Sequence, residues 1–392
     1  MFTTRRRILA GLVGALAGAT CLTGVASAAP WTKLATVNPL TGPSDWNTFN
    51  AVTRPATNDG WAGGYKINWP APDTNQFLLE RWDGTSWSVH ATPKALGSEG
   101  EIAAMSSAGP NDVWAVGTKG NLAGDAWAPF AMRWNGSSWK VIPTPSIPPA
   151  DLGSLGSVAV RDHNDAWATG ATIDGALLEH WNGSAWSMVA GAPGADDLIG
   201  VTTAPHGVVW AVGSEYDGNT GVTKTFAEHL VSGTWVRTPT PNPLNTGDED
   251  VNELHSVTAV SKTDAWAVGM VGNEDADEPY RPLILHWDGT AWHRVAAPSP
   301  DAGGDPLAAV LARSANDVWA VGYGGPTITT SDTHAVVEHW NGARWMYSSA
   351  GPSFFGSIAE NPANGELWAA GYLETTDRVR TLIEAHDRYA TS

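Results

Sequence analysis

The sequence predicts an all-β fold built from repeated four-stranded units, on three observations. Trp-Ala-x-Gly recurs at Trp61, Trp114, Trp167, Trp210, Trp266, Trp319 and Trp368, at steps of 43 to 56 residues. A second motif, Trp-Asn/Asp-Gly-x-x-Trp, follows five of the seven copies. The seventh copy lacks the strand that this second motif opens, while residues 31–37 match that strand. Together these predict a seven-bladed β-propeller whose last blade is closed by the N-terminal strand.

Taken in order, the chain opens with Arg5-Arg6-Arg7, an apolar run from Ile8 to Val25, and Ala26-Ser27-Ala28. This is the layout of a signal peptide over 1–28, with the propeller over 29–392. The paired arginines also suit the twin-arginine route. An uncleaved anchor is the rival, but the run is barely long enough to span. Gly18-Ala19-Thr20 before Cys21 lacks the bulky apolar residue of a lipobox, so the reading is an extracellular protein without lipid. Cleavage removes the single cysteine, so disulfides have no part in the mature fold.

The second unit shows how one blade is written. Glu101–Ser107 suits an inner strand, and Gly109-Pro110-Asn111-Asp112 turns the chain into Val113–Val116, which closes at Gly117. Phe130–Trp134 and Trp139–Ile142 supply two more strands across Asn135-Gly136, a dipeptide whose two residues both tolerate positive φ. Pro143 and Pro145 end the blade. The aspartates two residues before the repeat tryptophan (Asp59, Asp112, Asp165, Asp264, Asp317) are expected to accept hydrogen bonds inside their turns. The tryptophans themselves are expected to pack blade against blade.

The full chain carries 40 acidic and 22 basic residues, for a net charge of −18. Losing Arg5, Arg6 and Arg7 with the leader takes the mature protein to −21. Such a field disfavours nucleic acid and anionic membranes, and no stable membrane insertion is expected after cleavage.

These repeats behind a signal peptide resemble secreted bacterial seven-bladed propellers of the kelch-like and tectonin-like kind. The resemblance spans nearly the whole mature chain, but lacks the kelch Gly-Gly pair and the Gly-His/Trp-Asp signature of WD40 blades. It implies fold and compartment and carries no catalytic residue across.

Repeated residues are scaffold, so function is sought where the units differ. His180, His229, His286 and His339 recur once per unit, too far apart to share a metal, and arginine takes their place at Arg81 and Arg133. The long, varied loops fall on one face, where binding is expected. Tyr65, Tyr323 and Tyr372 each follow the repeat tryptophan by four residues in blades one, six and seven, and Trp69, Phe354 and Phe355 fall in loops of the same sector. This aromatic group suits stacking on sugar rings or gripping a peptide; rim packing between blades is the plainer reading. Asp248, Asp250, Asp275 and Asp277 lie in two loops expected to be neighbours and form a candidate calcium site, although no complete calcium-loop pattern is present.

The leading expectation is a monomeric, non-catalytic protein that binds a glycan or a protein partner through the long-loop face. The alternative is a carbohydrate-active enzyme, a glycoside hydrolase or polysaccharide lyase. Asp332, Glu374 and Asp377 are available as acids and Arg281, Arg378 and Arg380 as anion-binding groups, but no spacing singles out a catalytic pair. No Gly-x-Ser-x-Gly elbow is present.

Overall fold

A computed structural model describes residues 31–68, 75–121, 126–147, 152–204, 207–245, 249–273, 280–299, 304–325, 333–351, 353–375 and 378–387. The expected leader lies outside them. Among the described residues, 28 strands form five sheets. Three sheets have four strands, and two have eight. Each eight-stranded sheet is a pair of four-stranded units joined by a single parallel bridge, Trp46 to Val379 or Thr223 to Val251. The architecture is all-β and consistent with a β-propeller; 28 strands fit about seven blades. No helix among these residues is long and apolar enough to cross a membrane.

Each unit is an antiparallel meander. In the second, Gly100–Gly109, Asp112–Asn121, Ala126–Trp134 and Trp139–Ile142 follow one another in sheet order. The first strands of successive units pack side by side in chain order, and Ser353–Glu360 of the seventh lies beside Trp46–Ala56 of the first. Such neighbours leave edge N–H groups unpaired, and hydroxyls answer several of them. Ser106, Ser157, Ser256 and Ser357 accept from Val160, Val201, Val310 and Val52 of the following unit. These bonds link the inner edges of successive units.

The repeat glycine has a backbone cause. In all seven units the first strand carries a bulge opposite it, as at Leu254/Ser256 and Phe355/Ser357. A Cβ on Gly64, Gly117, Gly170, Gly213, Gly269, Gly322 or Gly371 would fall far inside contact distance of a first-strand carbonyl oxygen, that of Glu253 for Gly269 and of Phe354 for Gly371. Glycine is required there for close approach of two backbones.

The tryptophans join the units. In five units the second-strand Trp packs against both hairpin tryptophans of the next, with ring centroids 4.9–5.7 Å apart. One of these joins Trp368 of the seventh unit to Trp82 and Trp87 of the first. In the degraded fourth unit Trp235 alone meets Trp167, and Leu230 stands where the other ring would be. The seven buried clusters each span two neighbouring units in the same way. An indole buried among such rings contributes several kcal/mol, at ~25 cal/mol per Å² of apolar surface.

Two expectations about the turns are corrected. The repeat aspartates reach across to the third strand: Asp59 and Asp112 accept from Arg81 and Arg133, and Asp165, Asp264 and Asp317 pair with His180, His286 and His339. Those histidines stack on the repeat tryptophans at 4.0–4.2 Å. The histidines therefore cover the indole faces, the place Arg81 and Arg133 take in the first two units. In the five Asn/Asp-Gly hairpins only the glycine takes positive φ. The Asn or Asp before it instead uses one oxygen to accept the backbone N–H groups of the next two turn residues, as Asn135 does from Ser137 and Ser138. Ser232-Gly233, in the fourth unit, is the hairpin where both residues have positive φ.

The N-terminal strand, Thr32–Leu34, pairs antiparallel with Val379–His386, and Trp31 packs on Trp319 and His386. The segment leaving this strand repeats the connector after the fourth unit. Asn38 accepts from the N–H of Thr381, as Asn242 does from Thr225. Buried Asn47 bonds both backbone groups of Leu40, as Asn252 does those of Leu244. The strand thus occupies the fourth-strand place of the seventh unit.

One further repeated position was not anticipated. Glu80, Glu179, Glu228, Glu338 and Glu384 sit opposite the alanine of Trp-Ala-x-Gly and are buried. Met132 and Leu285 replace them in units two and five. Glu80 and Glu228 accept connector N–H groups, of Val37 and Ala192. Both oxygens of Glu179 and Glu338 lack a hydrogen-bond partner among the described residues. Burial pushes the first, second and fourth of these carboxyls (Glu80, Glu179, Glu338) up to about 8, and Glu228 to about 7.

Candidate functional site at the start of the inner strands

Opposite the repeat glycines, where the first strands begin, seven equivalent positions are placed around one end of the inner strands by the same bulge. Their occupants are Thr48, Glu101, Ser154, Asp197, Glu253, Pro306 and Phe354, whose carbonyl oxygens face the seven glycines. The next residue after each glycine is its cross-strand partner; these include Tyr65 opposite Thr48 and Tyr372 opposite Phe354. Tyr323 holds the same place in unit six, its N–H donated to the Pro306 carbonyl. The scaffold repeats there while the side chains do not, so this rim is where the units carry individual chemistry.

Three of the expected aromatic residues form one column. The Phe354 ring stacks on Tyr323 at 4.6 Å and on Tyr372 at 4.9 Å, the latter pair nearly parallel at 9°. All are half-buried. Burial raises the Tyr372 hydroxyl to about 12, with Tyr65, Glu374 and Tyr323 adding to it. Tyr65 is therefore a neighbour of the column. Its own hydroxyl is raised by burial and by Glu101, and that of Tyr323 by burial and by Glu253. A carboxylate thus stands at each end of the aromatic arc.

The acidic side continues into unit four. Burial, with the nearby charge of Glu253, pushes Asp197 up to about 6, and His255 opposes that shift. His255 Nε2 lies 3.2 Å from Glu253 Oε2, and its Nδ1 lies 2.9 Å from the Leu307 carbonyl oxygen. Both ring nitrogens thus face oxygen acceptors, which fixes the ring between the first strands of units five and six. Burial raises the Glu101 carboxyl as well.

Of the other expected site residues, Trp69, Asp248, Asp275 and Asp277 lie outside the described residues, as do Asp332 and Asp377. Phe354 and Phe355 belong to a strand, Ser353–Glu360, and not to a loop. Alternation along it sends Phe355 into the core between units six and seven, fully buried and away from the column. Asp250 is buried, and its carboxylate accepts from Asn273 Nδ2 at 2.8 Å, fixing the start of its strand. Arg378 donates to the Thr41 carbonyl. No group of three potential metal ligands occurs among the described residues. Sequence reasoning missed Glu101, Asp197 and His255, because no motif marks the start of a first strand. Counting back from the repeat glycine to its bulged partner is the signal that finds them.

No protein-family model matches the chain, and no curated protein matches it in sequence. Solved structures do. YCF48 bound to D1 peptide is similar over 93% of this chain and 97% of its own, with a TM-score of 0.54 at 16% identity. Ulvan lyase, a PL25 polysaccharide lyase bound to -[GlcA(1-4)Rha3S]-, is similar over 87% and 97%, with a TM-score of 0.51 at 10% identity. At such identities the likeness is one of fold. The neighbours are propeller proteins, one a binding protein and the other an enzyme.

Proposed function

We propose that the mature chain is a secreted, non-catalytic binding module: a closed seven-bladed propeller that takes its ligand at the end where the inner strands begin. The aromatic column Tyr323–Phe354–Tyr372 carries this reading, because three half-buried rings at a non-repeating position serve no unit-to-unit contact that the other units make. Support for closure comes from Trp368, which packs on the first unit as other repeat tryptophans pack on their successors. A carbohydrate-active enzyme is the second reading, favoured by the Asp197, Glu253 and His255 group, which has the members for acid–base work.

The test is a screen of glycan and peptide arrays with the mature protein and with Tyr372→Ala. Removing one ring of the column is expected to weaken binding of any hit by about tenfold or more with little change in Tm. Equal binding by the variant removes the column from the ligand site, and turnover of a hit moves the protein to the enzyme class. Run with calcium and again with chelator, the same screen tests Asp248, Asp250, Asp275 and Asp277 as calcium ligands. Equal binding and equal Tm in both would remove the ion.

A further inference from the structure

We infer that this site recognises a peptide through a lysine or arginine side chain laid against the aromatic arc. The inference rests on reading that end of the inner strands as the binding face. The seven equivalent positions there are filled unevenly. Phe354 fills one of them, and the rings of Tyr323 and Tyr372 both stack on it. Glu101 and Glu253 fill two more, one next to Tyr65 and the other next to Tyr323. Asp197 fills a fourth, close to Glu253. An aromatic face with a carboxylate at its edge is the pairing that holds an ammonium or guanidinium group: the ring quadrupole and the anion attract the same charge.

The resident charges offset that attraction only in part. His255 on Glu253 is the basic group paired with the three carboxylates; Glu101 and Asp197 have no ion pair among the described residues. A ligand cation offsets the repulsion between Asp197 and Glu253, which favours its binding. At longer range the chain's net charge of −18 draws the same sign of ligand. A uronate or sulfated glycan meets the opposite conditions, with three carboxylates repelling it. A neutral glycan would use the rings and gain nothing from the acids. Of the ligands that stack on aromatic rings, the basic peptide uses both halves of the rim.

The experiment measures binding of fluorescent decapeptides to the mature protein in low-salt buffer. One set carries a single central lysine or arginine, and matched peptides carry norleucine, citrulline or glutamate there. The lysine or arginine peptides are expected to bind, the neutral ones at least about tenfold more weakly, and the glutamate ones more weakly still. Affinity should fall as salt rises. Glu253→Gln and Glu101→Gln should each weaken the basic peptide by about tenfold while sparing a neutral ligand, and Tyr372→Ala should weaken both. No binding by any basic peptide, or equal binding of basic and neutral peptides, overturns the inference. An oligosaccharide hit that Tyr372→Ala abolishes and the two Gln variants leave intact also overturns it, yet keeps the site. Ligand binding untouched by all three variants sinks both the inference and the site.

Discussion

The carboxyls of Glu179 and Glu338 give a sharp test of how the blades are built. Each is buried opposite a repeat alanine with both oxygens lacking a partner among the described residues, and each is held up to about 8 against an ordinary value of 4.5. The folded state therefore keeps a proton that the unfolded chain gives up. The contribution of each of these groups to stability is greatest below about pH 4.5 and falls as pH rises, until the folded carboxyl itself ionises near 8. At pH 7 the chain must bind that proton 2.5 units above the free value, a cost of about 3 kcal/mol per group at 1.36 kcal/mol per unit. Above pH 8 the loss levels off near 5 kcal/mol, and relaxation around the site brings both figures down. A neutral isostere avoids the cost. Glu179→Gln and Glu338→Gln are expected to stabilise the protein by about 1–3 kcal/mol at pH 7.5 and to change little at pH 4.5. Each should reduce the slope of stability against pH between 5 and 8 by about one proton. Denaturant unfolding across that range, followed by tryptophan fluorescence, gives both quantities. Met132 and Leu285 at the equivalent position show that the scaffold accepts a group without charge. Loss of stability at pH 7.5 with an unchanged slope would refute the reasoning, since it would mean these carboxylates are ionised and paired.

Two further substitutions probe the scaffold. Gly269→Ala drives a methyl into the Glu253 carbonyl oxygen and should cost more than about 2 kcal/mol by thermal unfolding, whereas Gly351→Ala, with nothing near its Cβ, should be close to neutral. Trp31→Ala removes the ring packed on Trp319 and His386 and should cost about 2–4 kcal/mol, lowering Tm; a neutral result would mean the N-terminal strand is not part of the seventh unit in solution.

Repetition decided what could be read from the sequence. Trp368 and the hairpin tryptophans announce themselves at a fixed spacing, so the units and the packing of tryptophan between them were legible. The N-terminal strand was legible because the seventh unit lacks the strand that Trp31 opens. The reason for the glycine was hidden, since Gly269 answers a bulge at Leu254/Ser256 that no residue type signals. Glu179 and its equivalents were hidden for a different cause. Glutamate is ordinarily exposed, and only its place opposite an alanine on a blade's buried face shows otherwise. Tyr65, Tyr323 and Tyr372 could be grouped in the sequence because they keep a constant offset from the repeat tryptophan, and the structure stacks two of them on Phe354. Phe355 was misplaced because two adjacent phenylalanines read alike until the strand assigns them opposite faces. Glu101, Asp197 and Glu253 lie second, first and fourth in strands of unequal length, and only the bulged register makes them equivalent.

The central claim is that ligand binds where the inner strands begin. The most direct measurement is the hydrogen-exchange footprint of the tightest ligand returned by the arrays. Protection concentrated at the starts of the first strands of units five to seven and of unit one, with Phe354 and Tyr372 in the most protected peptides, is the predicted result. Protection confined to the outer strands, or to the opposite end around Arg54 and Glu360, would contradict it.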